Sequence, residues 1–226
     1  MKSNKFANLM VSNPAPRIPV VIIADVSGSM KGDPIGRMNA GVRQMVADLQ
    51  QDECTRFSAE LEVILFADEA ERVLPFSPIN TIGEVPEFTA SGRTALGPAL
   101  EMAMADINAR RKVYVAAGIP SYKPLIIVMG DGEFNSGDWR TPAAKLRSLA
   151  ENGKCFYYAV MVGEDCNLQQ FREIVPSEPG PFQLNAIANF ADLFEWISDS
   201  VTRLAEGSVS EQDDVKFAPV SSWARV

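Results

Sequence analysis

The segment Ile18-Pro19-Val20-Val21-Ile22-Ile23-Ala24 constrains this chain more than any other: it is continuously apolar, rich in β-branched residues, and stops abruptly at Asp25. A strand that alternates polar and apolar residues has one wet face. An unbroken apolar run of this length reads instead as a strand covered on both faces, as in a parallel sheet between helical layers. Leu125-Ile126-Ile127-Val128-Met129, bounded by Pro124 and Gly130, repeats the pattern. Neither run approaches the ~20 apolar residues that a membrane-crossing helix needs.

Elsewhere the apolar residues recur at helical spacing. Ile35, Met38, Val42, Met45, Val46 and Leu49 share one face of a helix beginning at Pro34, and Leu96, Leu100, Ala103, Met104 and Ile107 one face of a helix beginning at Thr94 or Ala95. Further strands are expected at residues 61–66 and 156–161, and further helices at 141–150, using Leu146 and Leu149, and at 190–204. Glu71-Arg72-Val73-Leu74 follows the acidic turn Asp68-Glu69 closely enough to form an antiparallel hairpin on a sheet edge. Residues 75–93 read as loop and 112–123 as an irregular connection.

The expected fold is α/β: a doubly wound, mostly parallel central sheet with one antiparallel edge strand and helices on both faces. The 226 residues suit a single domain over 17–206, with an N-terminal extension at 1–16 and a tail or strap at 207–226 on which Trp223 is a candidate anchor.

In such folds ligands bind outside the carboxyl ends of the strands, near the point where strand order reverses. The rule selects the loops 25–33, 92–94 and 130–138. Asp25-Val26-Ser27-Gly28-Ser29 places a carboxylate and two hydroxyls at alternate positions, which point the same way while the backbone stays locally extended; Gly28 lets the chain turn without a side-chain clash. Thr94 adds a hydroxyl at a helix start, and Asp131 a second carboxylate at the end of a buried strand. Oxygen donors of this kind suit Mg²⁺, Mn²⁺ or Ca²⁺. The first loop alone is too sparse for a closed cage, so water or another molecule completes the shell.

Composition removes competing chemistries. The chain has no histidine, which excludes Ser-His-Asp and Cys-His catalysis and histidine-bearing zinc sites. Cys54, Cys155 and Cys166 form no C-x-x-C pair and read as reduced, inert thiols in a cytosol. Twenty-one basic against 29 acidic residues give a net charge of −8, the wrong sign for neutralising phosphates, so neither nucleic acid nor an anionic membrane is an expected partner. The N-terminal residues lack the apolar stretch of a secretory signal. The phosphate-loop order and the nucleophile elbow are absent, and the 131–142 segment departs from a calcium loop at Ser136 and Pro142.

Asp25-x-Ser27-x-Ser29, the threonine in Gly92-Arg93-Thr94-Ala95-Leu96-Gly97 and the strand-end Asp131-Gly132-Glu133 together resemble the metal-ion-dependent adhesion site of a von Willebrand factor A domain, over about residues 17 to 205. Within that superfamily, Asp25-Val26-Ser27-Gly28-Ser29-Met30, the run from Thr94 to Leu100 and Phe194-Glu195-Trp196-Ile197-Ser198 are most similar to bacterial TerY-type proteins of the tellurite-resistance and stress-response group. The resemblance implies that Ser27, Ser29 and Thr94 are direct ligands, with Asp25 and Asp131 acting directly or through water. It implies Mg²⁺, with Mn²⁺ and Ca²⁺ open on donor type, and a protein partner that supplies an Asp or Glu to the ion. Neutral hydroxyls leave most of the ion's charge uncompensated, which favours that incoming carboxylate. The implied protein is a non-enzymatic, cytoplasmic interaction module associated with kinase and phosphatase components.

Two residues depart from the family pattern: Gly130 stands where a threonine is common, and Arg93 where a second glycine is common. Arg93 is placed to compete with the ion or to meet an acidic partner. Two alternatives remain open: a metal-dependent hydrolase or phosphotransferase, in which the ion polarises a phosphoryl oxygen, and a structural subunit with a vestigial metal site.

Overall fold

The computed structural model describes residues 13–131, 133–163, 166–207, 210, 212, 217–220 and 224–225. Most of the expected N-terminal extension, and Trp223, lie outside the described residues. Among those described, one sheet forms from β1 (Ile18–Asp25), β2 (Ala59–Phe66), β3 (Ala70–Pro78), β4 (Leu125–Gly130), β5 (Phe156–Met161), β6 (Phe182–Leu184) and β7 (Ala224–Arg225), in the order β3-β2-β1-β4-β5-β6-β7. Neighbours from β2 to β6 are parallel, while β3 and β7 pair antiparallel at the two edges. The doubly wound, mostly parallel sheet is as expected, with β7 adding a second antiparallel edge; two residues carry no period to read.

Helices α1 (Asp33–Gln51), α2 (Thr55–Ser58), α3 (Leu96–Ala117), α4 (Arg140–Glu151), α5 (Leu168–Ile174) and α6 (Phe190–Glu206) cover the two faces. The pleat of β1 divides the core between them. Ile18, Val20, Ile22 and Ala24 join Met38, Met45, Leu193 and Phe194 of α1 and α6, whereas Val21 and Ile23 join Leu96, Leu100, Leu146 and Phe171 of α3, α4 and α5. Every residue of β1 is buried, as the two-sided apolar run requires. Each such Val or Ile stabilises the fold by about 1.5–3 kcal/mol. α1 and α6 meet at Gly41, where a Cβ would lie 2.1 Å from the Phe194 ring.

Several local expectations are corrected. Residues 112–117 are the last turns of α3, not an irregular connection. Tyr114 is buried there, donating its hydroxyl proton to Glu60 Oε2 at 2.6 Å, and Gly118 at φ 66° ends the helix. The charged run Arg110-Arg111-Lys112 masks the apolar period in sequence. β3 continues to Pro78, into the stretch read as loop, because Ser77 and Pro78 pair with Leu61 and Glu60. Leu149 is 39% exposed rather than core.

β2 also carries two buried acids that the sequence reading passed over as ordinary strand residues. Glu60 meets Arg17 at 3.4 Å and Arg110 at 2.5 Å, and Glu62 lies 3.3 Å from Arg72, which also holds Asp106 at 2.6 Å. Asp106, Arg110 and Tyr114 recur every fourth residue along α3, so β2 and α3 share a polar ladder inside an otherwise apolar layer. Described residues of the tail return to the body: Trp196 Nε1 donates to the Ala218 carbonyl at 2.8 Å, and the Phe217 ring lies 5.1 Å from that of Phe156. No helix among the described residues is long and apolar enough to cross a membrane.

Candidate metal centre

Strand order reverses between β1 and β4, because β2 lies on one side of β1 and β4 on the other. The register Ala24↔Met129 sets Asp25 beside Gly130, with Asp131 the next residue along. Two short backbone contacts zip the neighbouring loop onto this edge: Ser91 N donates to Val26 O at 2.7 Å and Gly28 N to Gly92 O at 3.1 Å. Ala95 N donates to Ala67 O at 2.7 Å and fixes the start of α3. Gly92 is at φ 78°, which favours glycine, and a Cβ there would also lie 2.5 Å from Asp68 Oδ2.

Four of the five candidate residues form one hydrogen-bonded cluster. Ser29 Oγ donates to Asp131 Oδ1 at 2.8 Å, the hydroxyls of Ser27 and Ser29 are 3.0 Å apart, and the Ser27 amide donates to Asp25 Oδ1 at 2.7 Å. Thr94 is buried on the adjoining loop, two residues past the Gly92 contact, but its hydroxyl does not join this chain of bonds. Asp25 is fully buried, and its Oδ2 has no hydrogen-bond partner among the described residues. Burial pushes the Asp25 carboxyl up to about 7, against the opposing hydrogen bonds from Ser27, and burial raises Asp131 as well. A buried, incompletely partnered carboxylate is costly unless a cation compensates it.

The donors here fit a hard divalent cation: two carboxylates and three hydroxyls, all oxygen. No group of three or more His, Cys, Asp or Glu side chains gathers in metal-holding geometry among the described residues, so hydroxyls are an integral part of any such site. Gly130, one of the two departures from the family pattern, has a steric reason. A Cβ at that position would sit 2.9 Å from both Cβ and Oδ2 of Asp25. Arg93, the other departure, is exposed and turned towards Asp68, with Nε 3.7 Å from Asp68 Oδ1 and its amide donating to the same oxygen at 3.2 Å.

The remaining acids near the edge have other engagements. Asp138 accepts from the Thr141 amide at 3.2 Å at the start of α4, and Asp33 binds Arg37 at 2.8 Å. Sequence reading missed the part played by Asp68, which touches both Gly92 and Arg93 and shapes the loop leading to Thr94. Its only signal was its place in the Asp68-Glu69 turn.

The profile of the von Willebrand factor type A domain family matches residues 20–196. Among solved structures, von Willebrand factor type A from Catenulispora acidiphila superposes with a TM-score of 0.59 at 19% identity, over 84% of this chain and 43% of its own. Proximal thread matrix protein 1 from the mussel byssus, with a zinc-occupied MIDAS motif, gives 0.55 at 17% identity, over 83% of this chain and 48% of its own. The conserved hypothetical protein BatB from Bacteroides thetaiotaomicron gives 0.57 at 18% identity, over 84% of this chain and all of its own. The chain thus spans less than half the length of the first two, and at these identities the likeness is one of fold. No curated protein matches the sequence.

Proposed function

The chain belongs to the von Willebrand factor type A family, and from that premise we propose that it is a non-enzymatic module that binds a protein partner through a divalent cation held by Asp25, Ser27, Ser29, Thr94 and Asp131. The observation that carries this reading is Asp25. It is a fully buried carboxylate at the end of β1 whose Oδ2 lacks a hydrogen-bond partner among the described residues, linked through Ser27 and Ser29 to a second carboxylate at the end of β4. The hydroxyls of Ser27, Ser29 and Thr94 are the direct donors in this reading, and Asp25 and Asp131 hold the ion directly or through water. Once bound, the ion supplies positive charge that attracts a partner's Asp or Glu.

The chain's own residues set the stage. β1 and β4 hold the two acids side by side, the contacts from 26–28 to 91–92 hold the threonine loop against them, and Gly130 permits the close approach. A chain of net charge −8 repels an acidic partner, and the cation offsets that repulsion where the two meet. Mg²⁺ is the proposed ion, with Mn²⁺ and Ca²⁺ compatible with the same donors; the zinc-occupied motif of the mussel protein supports divalent binding in this fold.

The TerY-type resemblance extends the proposal to a tellurite-resistance or stress-response complex containing kinase and phosphatase components. A cytoplasmic setting accords with the free thiols of Cys54 and Cys155. The binding domain is taken as 17–206, flanked by 1–16 and 207–226. The test is capture of partners from native lysate on the immobilised chain in Mg²⁺, in excess chelator, and on Asp131→Ala. The expected result is a partner held in Mg²⁺ and lost in the other two conditions. The same partner held in all three would make the site vestigial, and a metal-dependent phosphoesterase activity lost in Asp25→Ala would make the protein an enzyme.

A further inference from the structure

A second concave site lies at the other end of the sheet, where β4 and β5 begin. There α3 and α4 flank an open cavity of about 300 Å³. Met104, Ile107, Ile126 and Leu149 give it an apolar lining, and Arg111, Lys145 and Lys154 supply three cations. No described carboxylate lines it, and none of the three cations forms an ion pair with a described acid. All three cations are exposed at the rim of the cavity.

Leu149 is 39% exposed on α4 and faces the half-buried Met104 and the buried Ile107 of α3 across the cavity. Apolar walls with a few convergent charged groups are the make-up of a small-molecule pocket, and the volume falls at the lower end of that class. The main chain at Lys154 is fixed by its amide, which donates to the Leu149 carbonyl at 2.9 Å just past α4.

We propose that this cavity binds a small amphipathic organic anion: a carboxylate or phosphate monoester on a short alkyl or single aromatic group. The apolar part lies on Met104, Ile107, Ile126 and Leu149, and the anionic head among Arg111, Lys145 and Lys154. The site is remote from Asp25 and Asp131 and needs no metal. Cys155 lines the same cavity and provides a reporter. Burial pushes its thiol up to about 11, so its alkylation is slow and sensitive to anything that covers it.

The full chain is titrated with octanoate, octyl phosphate, octanol and inorganic phosphate in excess chelator. Binding is followed by amide chemical shifts, and Cys155 alkylation by N-ethylmaleimide is followed by peptide mass spectrometry, with exposed Cys54 as the internal control. The expected result is binding of octanoate, octyl phosphate or both, with shifts centred on 104–111 and 145–155 and slower alkylation of Cys155 but not Cys54. Whichever head group binds more tightly identifies the natural class. Octanol and inorganic phosphate should bind at least about tenfold more weakly, and Lys145→Glu with Lys154→Glu should weaken the anion about tenfold, whereas exposed Lys112→Glu should not. Failure of both amphipathic anions to bind below ~10 mM, equal binding of octanol, or indifference to the charge reversal would overturn the proposal. The wild-type shifts and alkylation rates decide the matter even if the double variant folds poorly.

Discussion

Gly130 and Asp25 constrain each other through a distance that no local pattern encodes. A methyl group at 130 would lie 2.9 Å from the Asp25 Cβ, an atom with no freedom to swing away, so strand or side chain must shift. Gly130→Ala is expected to cost about 1–3 kcal/mol in denaturant unfolding and to weaken Mg²⁺ binding at least severalfold; unchanged affinity would show that the contact does not hold the site. Asp25→Asn separates function from stability. It removes an incompletely partnered buried charge, so at pH 8 the metal-free variant should equal or exceed the wild type by on the order of 1 kcal/mol, and it should lack the rise in melting temperature that the proposed site predicts for the wild type in Mg²⁺. Asp25, Ser27, Ser29 and Asp131 were legible as candidates because their spacing and their places at strand ends are written in the chain. The isolation of Asp25 Oδ2 and the reason for Gly130 were not, since both arise only when β1 and β4 lie side by side.

At the scale of elements, β2 and α3 carry the least expected feature. Glu62 is buried beside Asp106 and shares the single guanidinium of Arg72 with it. Burial, reinforced by the negative charge of Asp106 and only partly opposed by Arg72, pushes Glu62 up from its ordinary 4.5 to about 8. The folded state therefore binds a proton that the unfolded state has released. The stability contributed by the protonated carboxyl is fully present below about pH 4.5 and is lost as pH rises through about 8. Unfolding from pH 5 to 9 should show the wild type losing stability relative to Glu62→Gln, by an amount on the order of 3 kcal/mol; parallel profiles would mean that Glu62 is ionised throughout. The contact between α1 and α6 gives a simpler prediction. Gly41→Ala should destabilise by about 1–3 kcal/mol, and Phe194→Leu on that background should recover part of the loss, as measured by a double-mutant cycle.

The same pair of elements shows why the fold was only partly readable. The apolar runs of β1 and β4 and the helical stripes of α1 and α6 declare themselves because each buries a continuous face. The last turns of α3 escape because they are held by a hydrogen bond from Tyr114 to Glu60 rather than by an apolar stripe. β6 and β7 are too short for any period to develop, and their pairing is a tertiary outcome.

At the scale of the whole molecule, the doubly wound sheet gathers at one edge residues separated by more than a hundred positions, Asp25 and Asp131, and the acidic balance would make the proposed cation consequential there. A net charge of −8 also attracts divalent ions diffusely over the surface, so affinity alone does not locate a site. Paramagnetic broadening of amide resonances by substoichiometric Mn²⁺ does locate it. The account predicts broadening centred on residues 25–29, 91–95 and 130–131, reversed by chelator and absent from Ser29→Ala with Asp131→Ala. Broadening spread over the acidic surface, or unchanged in the double variant, would contradict it.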